Sequence, residues 1–437
     1  MAELLTELHR EIDADQGRYD RIVKAWHGDN AAAYMSKKSR AALDDTLRKL
    51  GVNFPRLIVN SKVDRLSVAG LLNAADGSAN ADAWQQWVRA GMVSKSEQTH
   101  TDYYLYGAAF VTVWADQLGN PTVTTGTPRS TAVQRDGITG EPTAALTRWR
   151  TRDGVRCRLF TPDTITVYGS KSTEFYSSPG QWAQIGEQVD NPFGIVPVVP
   201  FIRSQSSEDY GGVSAVEDVL DLSDALAKTL ADAMVTSEHF ARPRRWATGL
   251  EIEETEDGEI VDPFRRESHL QSEAPDTKFG QFPSADLAGY ESLIATLTQQ
   301  IGSLTGLPPH YLGLHGDQPG NADGVRAAEA QVASAAYSDH RALNGPWSRV
   351  AQLMAAVGNA DVDPTATQIV PSWASPEIRT PAQAADAALK LRDIGVPLET
   401  VLVETLGYSP ARAAEIAQQA DRANIASAAG NLGRLLP

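Results

Sequence analysis

Apolar residues recur along this chain at two different periods, and the change of period divides it. From the N-terminus the spacing is helical. Leu4, Leu8 and Ile12, followed by Tyr19, Ile22, Val23 and Trp26, predict helix over 3–27. A second helix is expected at 38–50, ending at Gly51, and a third, entered through Asn53, carries Phe54, Leu57, Ile58 and Val63. A fourth is expected from Ala81 to Tyr106, with Trp84, Trp87, Val88 and Val93 on its apolar face. At Gly107 the period falls to two. Strands are expected at 109–114, 121–125, 130–134, 143–150, 154–161 and 164–169, with Asp136-Gly137 and Asp153-Gly154 as tight hairpin turns. Residues 197–201 close this antiparallel region as an edge strand, because proline lacks the N–H that a central strand must donate.

After Gly211-Gly212 the helical period returns. A helix over 213–240 carries Val216, Leu220, Leu226, Leu230 and Met234, and Ala225, Ala227, Ala231 and Ala233 among them allow close helix approach. Residues 241–285 break the pattern with short strand-like runs at 246–248, 259–261 and 278–282. A next helix shows Leu287, Tyr290, Ile294, Leu297, Ile301 and Leu304 at alternating spacings of three and four. Gly306 can end it as a left-handed cap, and Pro308-Pro309 forbids its continuation. A loop from Leu314 to Ala322 leads into a helix from Asp323 to Val357, roughly 50 Å long at 1.5 Å per residue. Gly345-Pro346 predicts a kink or break within it. A short strand at 368–370 and three helices at 381–394, 398–406 and 410–428, ended by Gly395, Gly407 and Gly430, complete the chain. Thr380-Pro381-Ala382-Gln383 is a capping box for the first of these helices. Helical blocks around one antiparallel β region make this an α+β chain.

Composition adds bounds. At 437 residues the chain can bury a large core and hold more than one domain. Its one cysteine, Cys157, rules out an internal disulfide, suits a reducing cytosol and reads as a small core residue. Acidic residues stand where a signal peptide needs bases, and no apolar run is long enough to span a bilayer. The net charge of −16 argues against sequence-specific DNA binding, which draws its affinity from phosphate neutralisation. It leaves room for a wall along which DNA slides without being held.

Catalytic signatures are missing. No glycine precedes a lysine directly, so there is no Walker A loop. There is no His-Glu-x-x-His, no Cys-x-x-Cys and no Gly-x-Ser-x-Gly elbow. His310, His315 and Asp317 are close together, but on a glycine-rich loop without a helical scaffold for a metal. His100 and Asp102 are two apart on a helix and do not face each other. No catalytic residue, metal or cofactor is expected.

Two stretches carry a likeness. One is Gly306-Leu307-Pro308-Pro309-His310-Tyr311-Leu312-Gly313, followed by Asn321 and Val325-Arg326-Ala327-Ala328-Glu329. The other is Trp373-Ala374-Ser375-Pro376 with Thr380-Pro381-Ala382-Gln383-Ala384-Ala385-Asp386. In this order the chain resembles the portal proteins of tailed double-stranded-DNA bacteriophages from about residue 20 to 420. It departs from them at Ser375, where an acid is common, and at Asp323, where a small residue is seen.

The resemblance implies a portal-like fold. Its parts would be a wing at 1–212, a stem helix at 213–242, a β-containing clip at 243–286, a second stem helix at 287–305, a tunnel loop at 306–322, a kinked long helix with a strand returning to the wing at 323–375, and a helical crown at 376–437. It implies a dodecameric ring at one capsid vertex of the virion, assembled in the host cytoplasm. Double-stranded DNA would pass through it, and the large terminase subunit, a head–tail adaptor and the major capsid protein would be its partners. His310, Tyr311, Leu312, His315, Asp317, Gln318 and Asn321 would line the tunnel. Arg244, Arg245, Glu251, Glu253, Glu254, Glu256, Arg265 and Arg266 would form the docking surface of the clip. Leu226, Leu230, Ile294, Leu297 and Ile301 would pack subunits together along the stem. The residues alone leave one alternative of another class, a hydrolytic enzyme with an unrecognised site in the α/β part.

Overall fold

The computed structural model describes residues 2–29, 52–172, 175, 182–241, 245–249, 276–281, 287–314, 322–359, 361–366, 368–377 and 381–435. The helix expected at 38–50, the strand at 259–261 and Thr380 lie outside them. The chain divides into two compact units, one of residues 1–27, 53–220 and 302–437, the other of residues 28–52 and 221–301.

The first unit is built on a sandwich. Helix α1 (Ala2–Ala14) turns at Asp15 into α2 (Gln16–His27), so the expected N-terminal helix is two. The strands β2 (Ala108–Ala115), β3 (Pro121–Gly126), β4 (Thr131–Arg135), β5 (Pro142–Thr151), β6 (Gly154–Phe160) and β7 (Thr164–Ser170) follow, all close to the spans read from the period of two. Short β8 (Ala183–Gln184) and β9 (Val189–Asp190) pair with β7, and β10 (Val198–Ile202) lies on the free side of β2. One sheet therefore runs β10-β2-β3 and the other β4-β5-β6-β7-β8. Alternation along β5 explains the layering. Ala144 and Leu146 face α1, packing with Leu5, Leu8, Ile12, Cys157 and Leu159. Ala145, between them, faces the other way with Phe110, Phe160, Ile165 and Val198. Over 144–146 of β5 and 159–160 of β6 both faces are buried, as period-two alternation permits.

Helices cover the remaining sides. The third, α3 (Phe54–Val63), starts after Asn53 as expected. A strand that the sequence pattern did not reveal, β1 (Val68–Asn73), follows it. The expected helix from 81 to 106 is two helices, α4 (Ala81–Arg89) and α5 (Met92–Tyr106). Gly91 breaks them at φ 71°, and as a result Val88 and Val93 are exposed instead of sharing a buried face with Trp87. The chain then crosses itself at two glycines. Gly107 and Gly212, with φ of 82° and 83°, approach so closely that a Cβ on Gly212 would lie 2.1 Å from the Gly107 carbonyl oxygen. At this crossing residues 213–216 stay outside any helix, with Val213 N–H donating to Arg203 O and Ala215 N–H to Tyr104 O. The helix expected from 213 therefore begins later, with a 3₁₀ turn at Glu217–Val219.

A long helix, described below as α8 (Ala322–Gly358), runs without interruption through Pro346. Its Trp347 is fully buried against Trp87, His100 and Phe201 and donates its indole N–H to Nε2 of His100 at 3.0 Å. Strand β13 (Ile369–Trp373) pairs antiparallel with β1 in a two-stranded sheet of their own, so the returning strand reaches the 1–212 segment without joining either sheet of the sandwich. Helices α9 (Pro381–Asp393), α10 (Leu398–Glu404) and α11 (Pro410–Leu435) end the chain. Gly395 and Gly407 take positive φ at the breaks, whereas α11 continues past Gly430.

The second unit contains most of α6 (Leu220–Ala241), the hairpin of β11 (Arg245–Thr248) with β12 (Lys278–Gln281), and most of α7 (Ala288–Thr305). In it Thr236 and Tyr290 hydroxyls meet at 3.2 Å, linking α6 to α7.

Candidate functional site

The two stretches that carry the likeness lie about sixty residues apart in sequence and share one partner, Arg65. That residue stands just past the end of α3, where Arg65 N–H donates to Lys62 O. Its guanidinium donates from Nη1 to the carbonyl of Pro376 at 2.5 Å. From Nη2 it donates to the Tyr311 hydroxyl at 2.8 Å and to Glu329 Oε2 at 3.1 Å. Glu329, on the first part of α8, meets Nε2 of His310 with its other oxygen at 3.5 Å. The Arg65 carbonyl faces Nε2 of His340 at 3.2 Å, and His340 stacks on Trp373 with ring centroids 4.5 Å apart. Trp373 in turn donates to Asn344 Oδ1 at 2.6 Å. One buried cation therefore joins the segment after α7, the start of α8 and the Trp373–Pro376 segment.

Electrostatics favours this clasp only as a whole. The Arg65 and Glu329 side chains are 8% and 10% exposed, so each would be stranded without the other. Burial works against the Arg65 charge. Its bonds to Tyr311 and Glu329 outweigh that and raise its pKa above the ordinary arginine value.

Local backbone chemistry shapes the segment the clasp holds. Gly306 ends α7 at φ +70°, as its cap role requires, with the Gln331 side chain 3.1 Å from where a Cβ would sit. Pro309–Leu312 forms a 3₁₀ turn closed by Gly313 at φ 71°. Leu312 is buried with a methyl over Gly302, where a Cβ would come within 2.7 Å of it. Lys62 reaches the Thr305 carbonyl at 3.4 Å. A cavity of about 350 Å³ opens beside the clasp, with Arg65, Arg326, Glu329, Tyr337 and Glu377 in its wall.

The residues singled out from sequence fall into three groups. His310 and Tyr311 are half-buried and Leu312 is buried, so all three belong to the anchored root of the loop. His315, Asp317, Gln318 and Asn321 lie outside the described residues, as do Arg244, Glu251, Glu253, Glu254, Glu256, Arg265 and Arg266. Arg245 opens β11, opposite Gln281. Leu226 and Ile301 are buried, and Leu230, Ile294 and Leu297 are half-buried. Among the described residues no group of three or more His, Cys, Asp or Glu could hold a metal. Cys157 is buried, and burial pushes its thiol up to about 12, which suits a packing residue. No described helix is long and apolar enough to cross a membrane.

Arg65 and Glu329 were not singled out as site residues. Arg65 sits in an unremarkable Lys-Val-Asp-Arg-Leu run, and its partners lie 246 and 264 residues away. Only the fold brings them together.

Residues 7–425 match a family described as "Phage portal protein, SPP1 Gp6-like". The chain belongs to that family. Portal proteins of two mycobacteriophages align with most of it. That of Mycobacterium phage L5 is 26% identical over 405 residues, covering 88% of this chain and 81% of the relative. That of Mycobacterium phage D29 is 27% identical over 409 residues with the same coverage. Among solved structures, the neck of an empty gene transfer agent particle computed with C6 symmetry gives a TM-score of 0.49 at 14% identity, over 83% of this chain and 90% of that one. A virion of the native particle gives 0.48 at 15% identity, over 85% and 94%. The portal family decides between the two readings of the sequence. This portal chain works as a ring at a capsid vertex through which DNA is packaged and ejected.

Proposed function

We propose that the ring is a dodecamer in which the segment between α7 and α8 forms the constriction of the channel, with His315, Asp317, Gln318 and Asn321 facing DNA and His310 and Tyr311 at its root. The family match along residues 7–425 carries the portal reading. The clasp around Arg65 supports the assignment of the loop, because a loop that touches moving DNA needs a fixed base. Its polar side chains include one acid, Asp317, and no lysine or arginine from His310 to Asn321. Such a surface can hydrogen-bond phosphates without the ion pairing that would stall movement.

In the same reading 1–212 is the wing, 243–286 the clip and 376–437 the crown. The β11–β12 hairpin fits a small β unit between two stem helices. Mixed charge around it, Arg244, Arg245, Arg265 and Arg266 against Glu251, Glu253, Glu254 and Glu256, suits steered, salt-sensitive docking of the large terminase subunit and then of a head–tail adaptor. The major capsid protein would surround the ring in the virion.

Electron microscopy of the purified protein should show closed rings, and their rotational symmetry counts the subunits. Replacing Gln318 and Asn321 with lysine should leave those rings intact while slowing packaging or trapping DNA. Rings of this variant that fill heads at the normal rate and retain the genome normally would refute the channel assignment.

A further inference from the structure

The hairpin of β5 and β6 concentrates positive charge in an acidic chain. Five of the eleven residues from Arg148 to Arg158 are arginine, where the whole chain has 39 Lys and Arg against 55 Asp and Glu. The pleat sorts them between two faces. Arg148 is buried on the α1 side and bonds Asp13, and Arg150 lies on that side with its guanidinium 5.1 Å from the Phe175 ring. Arg156 and Arg158 stand on the other side of β6, Arg156 directly opposite Trp149 and Arg158 opposite Thr147. The ladder closes at Thr151 opposite Gly154, so Arg152 and Asp153 form the turn.

Exposure and pairing single out four cations at this end of the sheet. Arg152, Arg156 and Lys171 are exposed, and Arg158 is half-buried. Lys171 follows β7 beside the turn, where a Cβ on Gly154 would lie 3.1 Å from the Lys171 Cα. Among the described residues none of these four side chains meets a carboxylate, whereas Arg18, Arg65, Arg129, Arg148 and Arg349 each do. Asp153 is the one acid from 148 to 158. The acids that flank β7, Asp163 and Asp190, sit at its far end, Asp190 opposite Thr164. Arg158 rests its guanidinium 5.8 Å over Trp149 and 5.9 Å over Phe160, and burial lowers its pKa with no anion to offset the loss. Like charges gathered at one sheet end repel one another, and a polyanion laid across them relieves that repulsion. Guanidinium forks match phosphate geometry. The polyanion that a portal passes is double-stranded DNA, whose backbone repeats its phosphates along an extended surface such as this one.

We propose that the end of the β5–β6 hairpin, Arg152, Arg156 and Lys171 with Arg158 behind them, is a second DNA-contact surface that binds the phosphate backbone of double-stranded DNA outside the channel and without regard to sequence. It rests on the family's handling of DNA and not on the assignment of the channel loop.

The test uses assembled rings of the full chain and a covalently closed circular duplex, which has no end to thread and so cannot report binding inside the channel. Gel shift over a range of salt is read for the wild type and for Arg152→Gln with Arg156→Gln. A control, Arg392→Gln with Arg422→Gln, makes the same charge change at exposed arginines of α9 and α11. Circular dichroism and electron microscopy check folding and rings. Wild-type rings should bind the circle with an affinity that falls steeply as salt rises. The Arg152, Arg156 variant should form rings, bind at least about tenfold more weakly and show a shallower salt dependence, while the control binds as the wild type does. Lys171→Gln, at the end of the neighbouring strand, should weaken binding in the same direction. No binding of the circle at low salt, unchanged affinity in the hairpin variants, or an equal loss in the control would each overturn the proposal. So would loss of rings in the Arg152, Arg156 variant, which would make the cluster a subunit contact. Tighter binding of poly-glutamate than of the circle at equal charge would also overturn it, by making the partner an acidic protein.

Discussion

Replacing Arg65 with alanine tests the clasp at the loop root directly. The change removes the donors to Tyr311, Glu329 and Pro376 at once. Its largest consequence is a Glu329 carboxylate left 10% exposed, with His310 Nε2 at 3.5 Å as its remaining ion-pair neighbour among the described residues. Breaking a buried ion pair by removing one partner costs about 3–5 kcal/mol. At about 1.4 kcal/mol per tenfold, local opening should become at least 100-fold more frequent. Hydrogen exchange followed by mass spectrometry reads this opening segment by segment. Amides of 306–313 and of 373–377 should speed up together, because Arg65 is their common partner. The strands β5 and β6 should keep their protection. An Arg65→Met, Glu329→Met double variant should recover most of the loss, since neither charge is then stranded. If exchange in Arg65→Ala rises in only one of the two segments, or in neither, the clasp does not couple them and the reasoning is wrong.

Three further outcomes are expected. Gly107→Ala should destabilise by more than about 3 kcal/mol, because its φ of 82° is joined by a clash of 2.6 Å with the Val213 backbone, whereas Gly119→Ala, at φ +80° in open space, should cost only about 1–2 kcal/mol; equal urea midpoints for the two would exclude the crossing as the cause. Burial holds His9 and His100 neutral, with pKa values lowered to about 3, and Arg148 adds to the effect at His9. The unfolded chain takes up those protons near pH 6.5, so this stability is complete above that pH and declines as pH falls toward 3, by roughly 5 kcal/mol for both at pH 4.5; a denaturation midpoint unchanged between pH 7 and 4.5 would contradict this. Ile294→Asp or Leu297→Asp, both half-buried in the protomer, should yield monomers or aggregate in place of rings, and light scattering that still reports an intact ring from each would sink the stem-packing assignment.

How much could be read without coordinates follows from the range of each interaction. The strands of the sandwich were legible from their period of two, because along β6 Val155, Cys157 and Leu159 are buried while Arg156 between them is exposed, an alternation set by the pleat itself. The end of α7 was legible because a cap depends on residues within one turn, here Gly306 in the left-handed region, and α3 starts after Asn53 with Pro55 in its first turn although the Asn53 side chain makes no capping bond. The order of the two motifs was enough to point to the portal family.

Other features depended on packing. Helical periodicity alone joined α4 to α5, although Gly91 in the left-handed conformation lets Val88 and Val93 turn outward. A helix starting at 213 agreed with local preference, but the crossing of Gly107 and Gly212 pulls Val213 and Ala215 into bonds with Arg203 and Tyr104. Gly345-Pro346 predicted a kink or break, and α8 is unbroken there, with Trp347 anchored on Trp87, His100 and Phe201. Strand β1 has six residues and no alternation of its own, and it exists as a strand because β13 pairs with it. The clasp is the extreme case. Nothing near Arg65 in sequence marks it, since its ligands come from segments 246 to 311 residues away. Sequence pattern determines structure where the forces act within a turn or along one strand. Which buried charge meets which carboxylate is decided only when distant elements pack, because burial is what makes that pairing obligatory.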